Sequence, residues 1–346
     1  MESGDIVDFF TTFYQIISLF ILIAVGWVIS RLQLVDQPFI KTLSGFVIKV
    51  TLPAMIIKSM QFDFSLELLL ESAYMFVIGI VMYGLMIAFS YGVVKFTGLS
   101  GGKANALQFL IIFGNVGYMG YPVMASIFGD EGVFYTALFN IPFNFLMMSL
   151  GVYLMTRKDL QKPGLEELER RSMSAVSLKE EGGTVRKEPS GTNKRFQRFG
   201  VLINPGIIAT FTGFILFVAS IEIPGPLFRA LDVLGEATTP LAMIIIGANL
   251  SRVALSSVFR EKGLYWLSLL RLILIPAFLY GVLTLLGVEG FLLAVPVLVF
   301  AMPAAANAVV FAVMYDGDAD FAAKGVFFTT LCSAITLPLI AYLLLG

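Results

Sequence analysis

Seven stretches of this sequence, residues 9–30, 72–94, 104–129, 132–156, 199–221, 290–315 and 325–346, contain no Asp, Glu, Lys or Arg. Each exceeds the roughly 18 apolar residues that a helix needs to cross a bilayer. Three further stretches are nearly as apolar: 39–60, which holds Lys49; 227–251, charged only towards its start; and 263–286, which holds Arg271. Together they predict ten transmembrane helices. Hydrophobic residues make up 58% of the chain and charged ones 14%, against about 25% charged in a soluble domain. So much apolar surface calls for lipid as solvent.

The charges outside the spans set an orientation. The first run follows Glu2, Asp5 and Asp8 instead of a basic segment, so it reads as a permanent helix entering from outside and not as a signal peptide. Alternate loops then hold Arg31, Lys41, Lys95, Lys103, Arg252, Arg260, Lys262 and Lys324, while the others hold only Lys58 and Arg229 among many carboxylates. The positive-inside rule places the basic loops in the cytoplasm and both termini outside. The expected location is the plasma membrane.

The sequence repeats itself. Thr51-Leu52-Pro53-Ala54-Met55-Ile56-Ile57 matches Thr239-Pro240-Leu241-Ala242-Met243-Ile244-Ile245 apart from a Leu/Pro exchange. Gly132-Val133-Phe134-Tyr135-Thr136-Ala137-Leu138 matches Gly325-Val326-Phe327-Phe328-Thr329-Thr330-Leu331, in the same order and at nearly the same spacing. Such self-similarity marks a duplication. Five helices per half is an odd number, so the second half must lie upside down relative to the first, the plan of many secondary transporters. The fold expected is an all-α polytopic membrane protein with a first five-helix repeat at 1–156 and an inverted one at 201–346. Between them, 157–200 is rich in Glu, Lys, Arg, Ser, Gly and Pro. That composition buries too little apolar surface to offset its ordering entropy and reads as a flexible cytoplasmic linker.

Two predicted spans are interrupted at equivalent places. The fourth carries Phe113-Gly114-Asn115-Val116-Gly117-Tyr118-Met119-Gly120-Tyr121-Pro122, and the ninth carries Pro296 and then Met302-Pro303-Ala304-Ala305-Ala306-Asn307. Glycine and proline weaken or break a helix, and a broken helix at mid-membrane leaves backbone N–H groups and a positive dipole end in need of a partner. A carboxylate meets that need. Asn115, Gly117, Tyr118, Pro122, Pro303 and Asn307 are therefore candidate substrate-binding residues, the two asparagines offering amide donors. Asn140 and Asn144 in the fifth helix and Thr330 in the tenth, with Thr329 and Ser333, are placed to line the same cavity. Lys49 and Arg271 are the cations well within spans; both read first as structural, within reach of the inner interface or of a helix partner, and Lys49 is the better candidate of the two to attract an anion.

Several chemistries are excluded. The chain has no histidine and a single cysteine, Cys332, which rules out a histidine proton relay, a histidine metal site, a Ser-His-Asp triad and an intrachain disulfide. No Asp or Glu falls in the middle of a span, which disfavours a carboxylate proton relay. Sodium held by backbone carbonyls stays open. There is no Walker loop, zinc spacing or dinucleotide fingerprint, so no cofactor, metal, catalytic residue or nucleic-acid partner is expected.

At these residues the chain resembles the auxin efflux carrier family, which includes the plant PIN proteins and many microbial permeases. The resemblance is carried by Asn115-x-x-x-Met119-Gly120-x-Pro122 and by Val310-Phe311-Ala312, Tyr315, Asp320, Gly325-Val326, Phe328, Leu331 and Thr336-Leu337-Pro338. It implies that the fourth and ninth helices cross at their breaks, with an organic anion bound beside the crossing. Helices one, two, six and seven would form a scaffold that makes a homodimer, and helices three to five and eight to ten a moving transport domain. Pro303-Ala304-Ala305-Ala306-Asn307 departs from the plant pattern, and the short linker points as readily to a dicarboxylate such as malonate or malate as to auxin. The expected function is efflux of small organic anions by alternating access. A sodium-coupled symporter of the bile-acid type is the alternative, and a membrane sensor a more distant one.

Overall fold

In a computed structural model, which describes residues 9–157, 204–253, 258–315 and 317–345, the chain is helical throughout, with no strand among the described residues. Apolar sequence dictates this outcome, because a helix satisfies its own backbone groups where no water reaches them. The helices in chain order are α1 (Phe9–Arg31), α2 (Gln37–Lys58), α3 (Leu66–Thr97), α4 (Gly101–Ile112), α5 (Val116–Thr156), α6 (Pro205–Val218), α7 (Gly225–Leu250), α8 (Lys262–Leu285), α9 (Gly290–Ala301), α10 (Asn307–Met314) and α11 (Ala319–Leu345). Seven of them, α1, α2, α3, α5, α7, α8 and α11, are long and apolar enough to cross a membrane. The protein is a multi-pass α-helical membrane protein. Arg157 closes the end of α5 onto α4 by exchanging hydrogen bonds with Asn105; the rest of the predicted linker lies outside the described residues.

Local sequence explains the ends and bends. Asp36 accepts the amide of Phe39 at 2.8 Å and starts α2. Ser65 accepts that of Leu68 at 3.1 Å and starts α3, and Gly98, at φ +64, ends it. Both acceptors satisfy N–H groups that a helix start leaves without a partner. α5 carries a wide π-turn at Met147–Gly151, and three helices carry one just before a proline, at Val47–Thr51, Val116–Gly120 and Leu270–Leu274. Pro53, Pro122 and Pro276 follow these last three turns by two positions. A proline ring collides with the carbonyl four residues back, and widening the preceding turn moves that carbonyl aside. These prolines bend their helices without ending them. Within α5, Gly129 takes φ +61 and ψ −145, a backbone elbow that splits the helix into two arms.

The helices pack in two groups. α1 crosses the second half of α7 at Gly26 and Gly247, so closely that a Cβ on either would overlap a carbonyl oxygen of the other helix. α2 packs on α6, where Gly213 faces Met60, and on the start of α7, where Gly235 faces Met55. The other group, α3, α4, α5, α8, α9, α10 and α11, surrounds an aromatic core. Tyr83 of α3 lies 5.1 Å from Phe300 of α9 and 5.6 Å from Phe139 of α5; Phe109 of α4 lies 5.5 Å from Phe311 of α10. The outside is apolar too. Ile21, Val25 and Val28 of α1, Val77, Ile80 and Val81 of α3, and Phe211 and Ile215 of α6 are exposed. Such a belt suits lipid tails as solvent.

Ion pairs mark the two ends of the bundle. Lys103 of α4 reaches Glu261 before α8 at 3.2 Å. At the opposite end Lys58 of α2 reaches both Asp130, next to the α5 elbow, at 3.1 Å and Asp232 of α7 at 3.0 Å.

Candidate functional site

α4 and α9 are only 12 residues each. At about 1.5 Å per residue that is roughly 18 Å, short of a hydrocarbon layer of about 30 Å. Both stop inside the protein for the same reason: Phe113 (φ −101, ψ 117) and Met302 (φ −62, ψ 148) turn extended. The chain then runs through Gly114-Asn115 into α5, and through Pro303-Ala304-Ala305-Ala306 into α10. The two interruptions cross as a single antiparallel bridge between Gly114 and Ala304. Asn115 N–H donates to the Pro303 carbonyl at 2.8 Å, and Ala305 N–H donates to the Phe113 carbonyl at 3.0 Å. Ala304 N–H finds Thr329 Oγ1 at 3.1 Å. These three amides, which the sequence offers to a ligand, are taken up by the protein itself.

Arg271 completes the crossing. It sits in the wide turn of α8, 1% exposed. Its Nε donates to the Met302 carbonyl at 3.0 Å, and its Nη1 to the carbonyls of Leu110, at 3.1 Å, and Ile111. One guanidinium thereby caps the C-terminal ends of both α4 and α9, where helix carbonyls lack partners. Glycine at 114 leaves room for this: a Cβ there would displace Arg271 Nη2. The side chain turns inward to backbone carbonyls and not towards a membrane surface.

Beside the crossing lies a cavity of about 90 Å³. Of the ten sequence candidates, Asn115, Gly117, Tyr118, Asn140, Asn144 and Asn307 line it. The N-terminal turns of α5 and α10 both reach it through Gly117, Tyr118 and Asn307, and the first amides of a helix have no partner within it. The other four candidates lie elsewhere. Pro122 is buried behind the first turns of α5, and Pro303 supplies the bridging carbonyl. Thr330 is buried and donates to Val326 O at 2.7 Å. Lys49 is on the exposed side of α2, away from the buried face formed by Ile40, Val47, Thr51 and Met55.

Two lining residues with hydrogen-bonding side chains are not among the sequence candidates. Tyr121 follows the wide turn of α5, and Asn204 stands at the start of α6. Asn204 Oδ1 accepts Gly206 N–H at 2.9 Å and caps α6, while its Nδ2 donates to Asn144 Oδ1 at 3.1 Å. Asn144 Nδ2 in turn donates to the Asn140 carbonyl at 2.8 Å, and the Asn140 side-chain oxygen has no partner. Asn-Pro-Gly is a readable helix start; its second role needs α5 alongside. The cavity is thus lined by amides, hydroxyls and backbone together with the apolar side chains of Ile48, Leu52, Phe143, Met147 and Met148, and no charged side chain lines it.

Two larger cavities flank the bundle. One, of about 620 Å³, lies between the end of α7 and the start of α2 on one side and α10 and α11 on the other. It carries Asn249, Arg252 and Lys324, the last paired with Asp320, and reaches Ala306, beside Asn307. The other, of about 340 Å³, is lined by Glu67, Glu71, Glu131 and Glu289, with Tyr135 donating to Glu71.

A family model described as "Membrane transport protein" matches residues 11–341. An uncharacterized transporter of Methanocaldococcus jannaschii is 26% identical over 333 residues, which cover 94% of this chain and 96% of the relative. An uncharacterized transporter of Methanothermobacter thermautotrophicus is 27% identical over 330 residues, 94% and 95% of the two chains. A Rhizobium meliloti protein named "Putative malonate transporter" is 25% identical over 334 residues, 95% and 94%. The match spans both halves of the bundle and the crossing between them, and the chain belongs to this membrane transport protein family, the auxin efflux carrier family that its sequence resembles.

Proposed function

We propose that the protein carries a small carboxylate-bearing anion across the plasma membrane by alternating access, binding it in the cavity beside the crossing of α4–α5 and α9–α10. The observation that carries this reading is the convergence of two helix N-terminal turns and the amides of Asn115, Asn140, Asn144, Asn204 and Asn307 on one cavity without a carboxylate. Helix N-termini favour anions, and amide groups donate to carboxylate oxygens. A compact acid suits about 90 Å³, and the name of the Rhizobium meliloti relative contains malonate. Malonate and related dicarboxylates are the first substrates to try.

The ten-helix inverted repeat belongs to the same proposal. It takes α4 with the first arm of α5 as the fourth span, the second arm of α5 as the fifth, and α9 with α10 as the ninth. The bridge between Gly114 and Ala304, each just beyond a 12-residue helix, supports a two-fold relation of residues 1–156 and 201–346. The packing of α1, α2, α6 and α7 apart from the rest supports a static group against which the other helices move. A second copy would pair on the exposed apolar sides of that group. Direction follows from charge: in the orientation with both termini outside and the 157–200 linker in the cytoplasm, the cavity with Arg252 and the Lys324–Asp320 pair, which is basic on balance, opens inward and the one lined by glutamates outward. Anions then gather on the inner side, which suits export. Uptake of labelled malonate, malate and indole-3-acetate into proteoliposomes, with and without sodium, tests the reading. Saturable flux of at least one acid supports it, and no flux of any overturns it.

A further inference from the structure

Four helix ends meet at the crossing: the C-termini of α4 and α9 and the N-termini of α5 and α10. Each end is equivalent to roughly half a charge, negative at the C-terminus and positive at the N-terminus. Left alone, the four cancel, and the crossing has no preference for the sign of a ligand. Arg271 breaks that balance. It donates to the carbonyls of Leu110, Ile111 and Met302, at the two C-terminal ends alone. Among the described residues no carboxylate pairs with it. Its remaining nitrogen, Nη2, is buried without a partner and lies against Gly114, whose other contacts include the cavity.

We propose that Arg271 is the specificity-determining residue of the crossing, a fixed positive charge that neutralises the two helix C-termini and leaves about one unit of positive charge from the two N-termini to match a single substrate carboxylate. This rests on the crossover cavity being the substrate site. Arginine suits the place because its rigid fork spans two helix ends at once and stays protonated. In a low-dielectric interior its field passes through one residue of backbone with little screening. A neutral isostere of the substrate keeps the same shape and gains none of this attraction. The selected class is therefore acids over their amides, with one carboxylate engaged at the crossing and any second one outside it.

The test is binding of malonate, malate and indole-3-acetate, each against its neutral amide, to the purified full-length protein. The wild type is expected to prefer acid over amide by about tenfold or more. Arg271→Met should bring the ratio close to one, and Arg271→Lys should restore much of it. A purely structural role would weaken acid and amide alike and leave the ratio unchanged; that result in a folded, monodisperse Arg271→Met protein overturns the proposal. Gly114→Ala gives a second reading should Arg271→Met fail to fold, since the added methyl displaces Nη2 while the charge stays. A several-fold lower ratio is expected there, and a wild-type ratio again overturns the proposal. Wild-type protein that binds none of the three acids would instead remove the crossover reading on which this one stands.

Discussion

Asn115 and Pro303, far apart in sequence, are joined by a 2.8 Å hydrogen bond from the amide of one to the carbonyl of the other. With its counterpart from Ala305 to Phe113, this bond turns two interrupted helices into one crossing. Backbone groups that lipid would leave unpaired are closed on each other, while the helix starts just beyond them still face the cavity.

Asn204 separates folding from binding. Its side chain caps α6 through Oδ1 and faces the cavity through Nδ2. Asn204→Asp keeps a competent cap but replaces a donor with a negative charge. Thermal stability close to wild type and at least about tenfold weaker carboxylate binding, equivalent to about 1.4 kcal/mol, are expected by thermal shift and titration calorimetry. Unchanged affinity would remove Asn204 from the site.

Gly247 and Gly26 let α1 and α7 touch backbone to backbone. Gly247→Val forces a side chain into the carbonyl of Ile23, and overpacking of this kind destabilises by about 1–3 kcal/mol or more. A clearly lowered unfolding midpoint in detergent is expected. Gly84→Ala is the control, because nothing lies within 4 Å of the added methyl and alanine favours helix over glycine by about 1 kcal/mol. Equal midpoints for the two variants would contradict the close crossing.

Lys58 ties α2 to the α5 elbow through Asp130 and to α7 through Asp232. Partly exposed pairs contribute about 0–1 kcal/mol, so Lys58→Met should fold normally. If the two groups move past each other, losing the Asp130 tie changes turnover several-fold at unchanged KM in proteoliposomes. Asp232→Asn, which spares that tie, should stay near the wild-type rate. Wild-type turnover for Lys58→Met would show that the pair does not restrain the motion.

Much of this was legible in the sequence, and the exceptions share a cause. Runs free of charge announce spans because lipid admits little else, and glycine with proline announces the interruptions. The exact stopping points were not legible: α4 stops at Ile112, before the glycines, and Pro122 lies inside a helix that continues. A wide turn relieves the proline there, and that is a backbone adjustment with no residue signature. Six of the ten candidates line the cavity, whereas Lys49 faces outward. Ile40, Val47, Thr51 and Met55 take the buried face of α2 and leave Lys49 on the other side. Arg271 and Asn204 depend on neighbours more than 50 residues away in the chain, which no local pattern encodes.

The account stands or falls on whether the crossing binds the anion. The most direct measurement is carboxylate binding and uptake by Asn115→Ala, reconstituted beside the wild type and assayed with malonate, malate and indole-3-acetate. Asn115 lines the cavity, and its amide bond to Pro303 is a backbone bond that the substitution retains. A folded Asn115→Ala protein with binding and uptake reduced at least about tenfold is the predicted result. A folded variant that binds and carries these acids as the wild type does would contradict it.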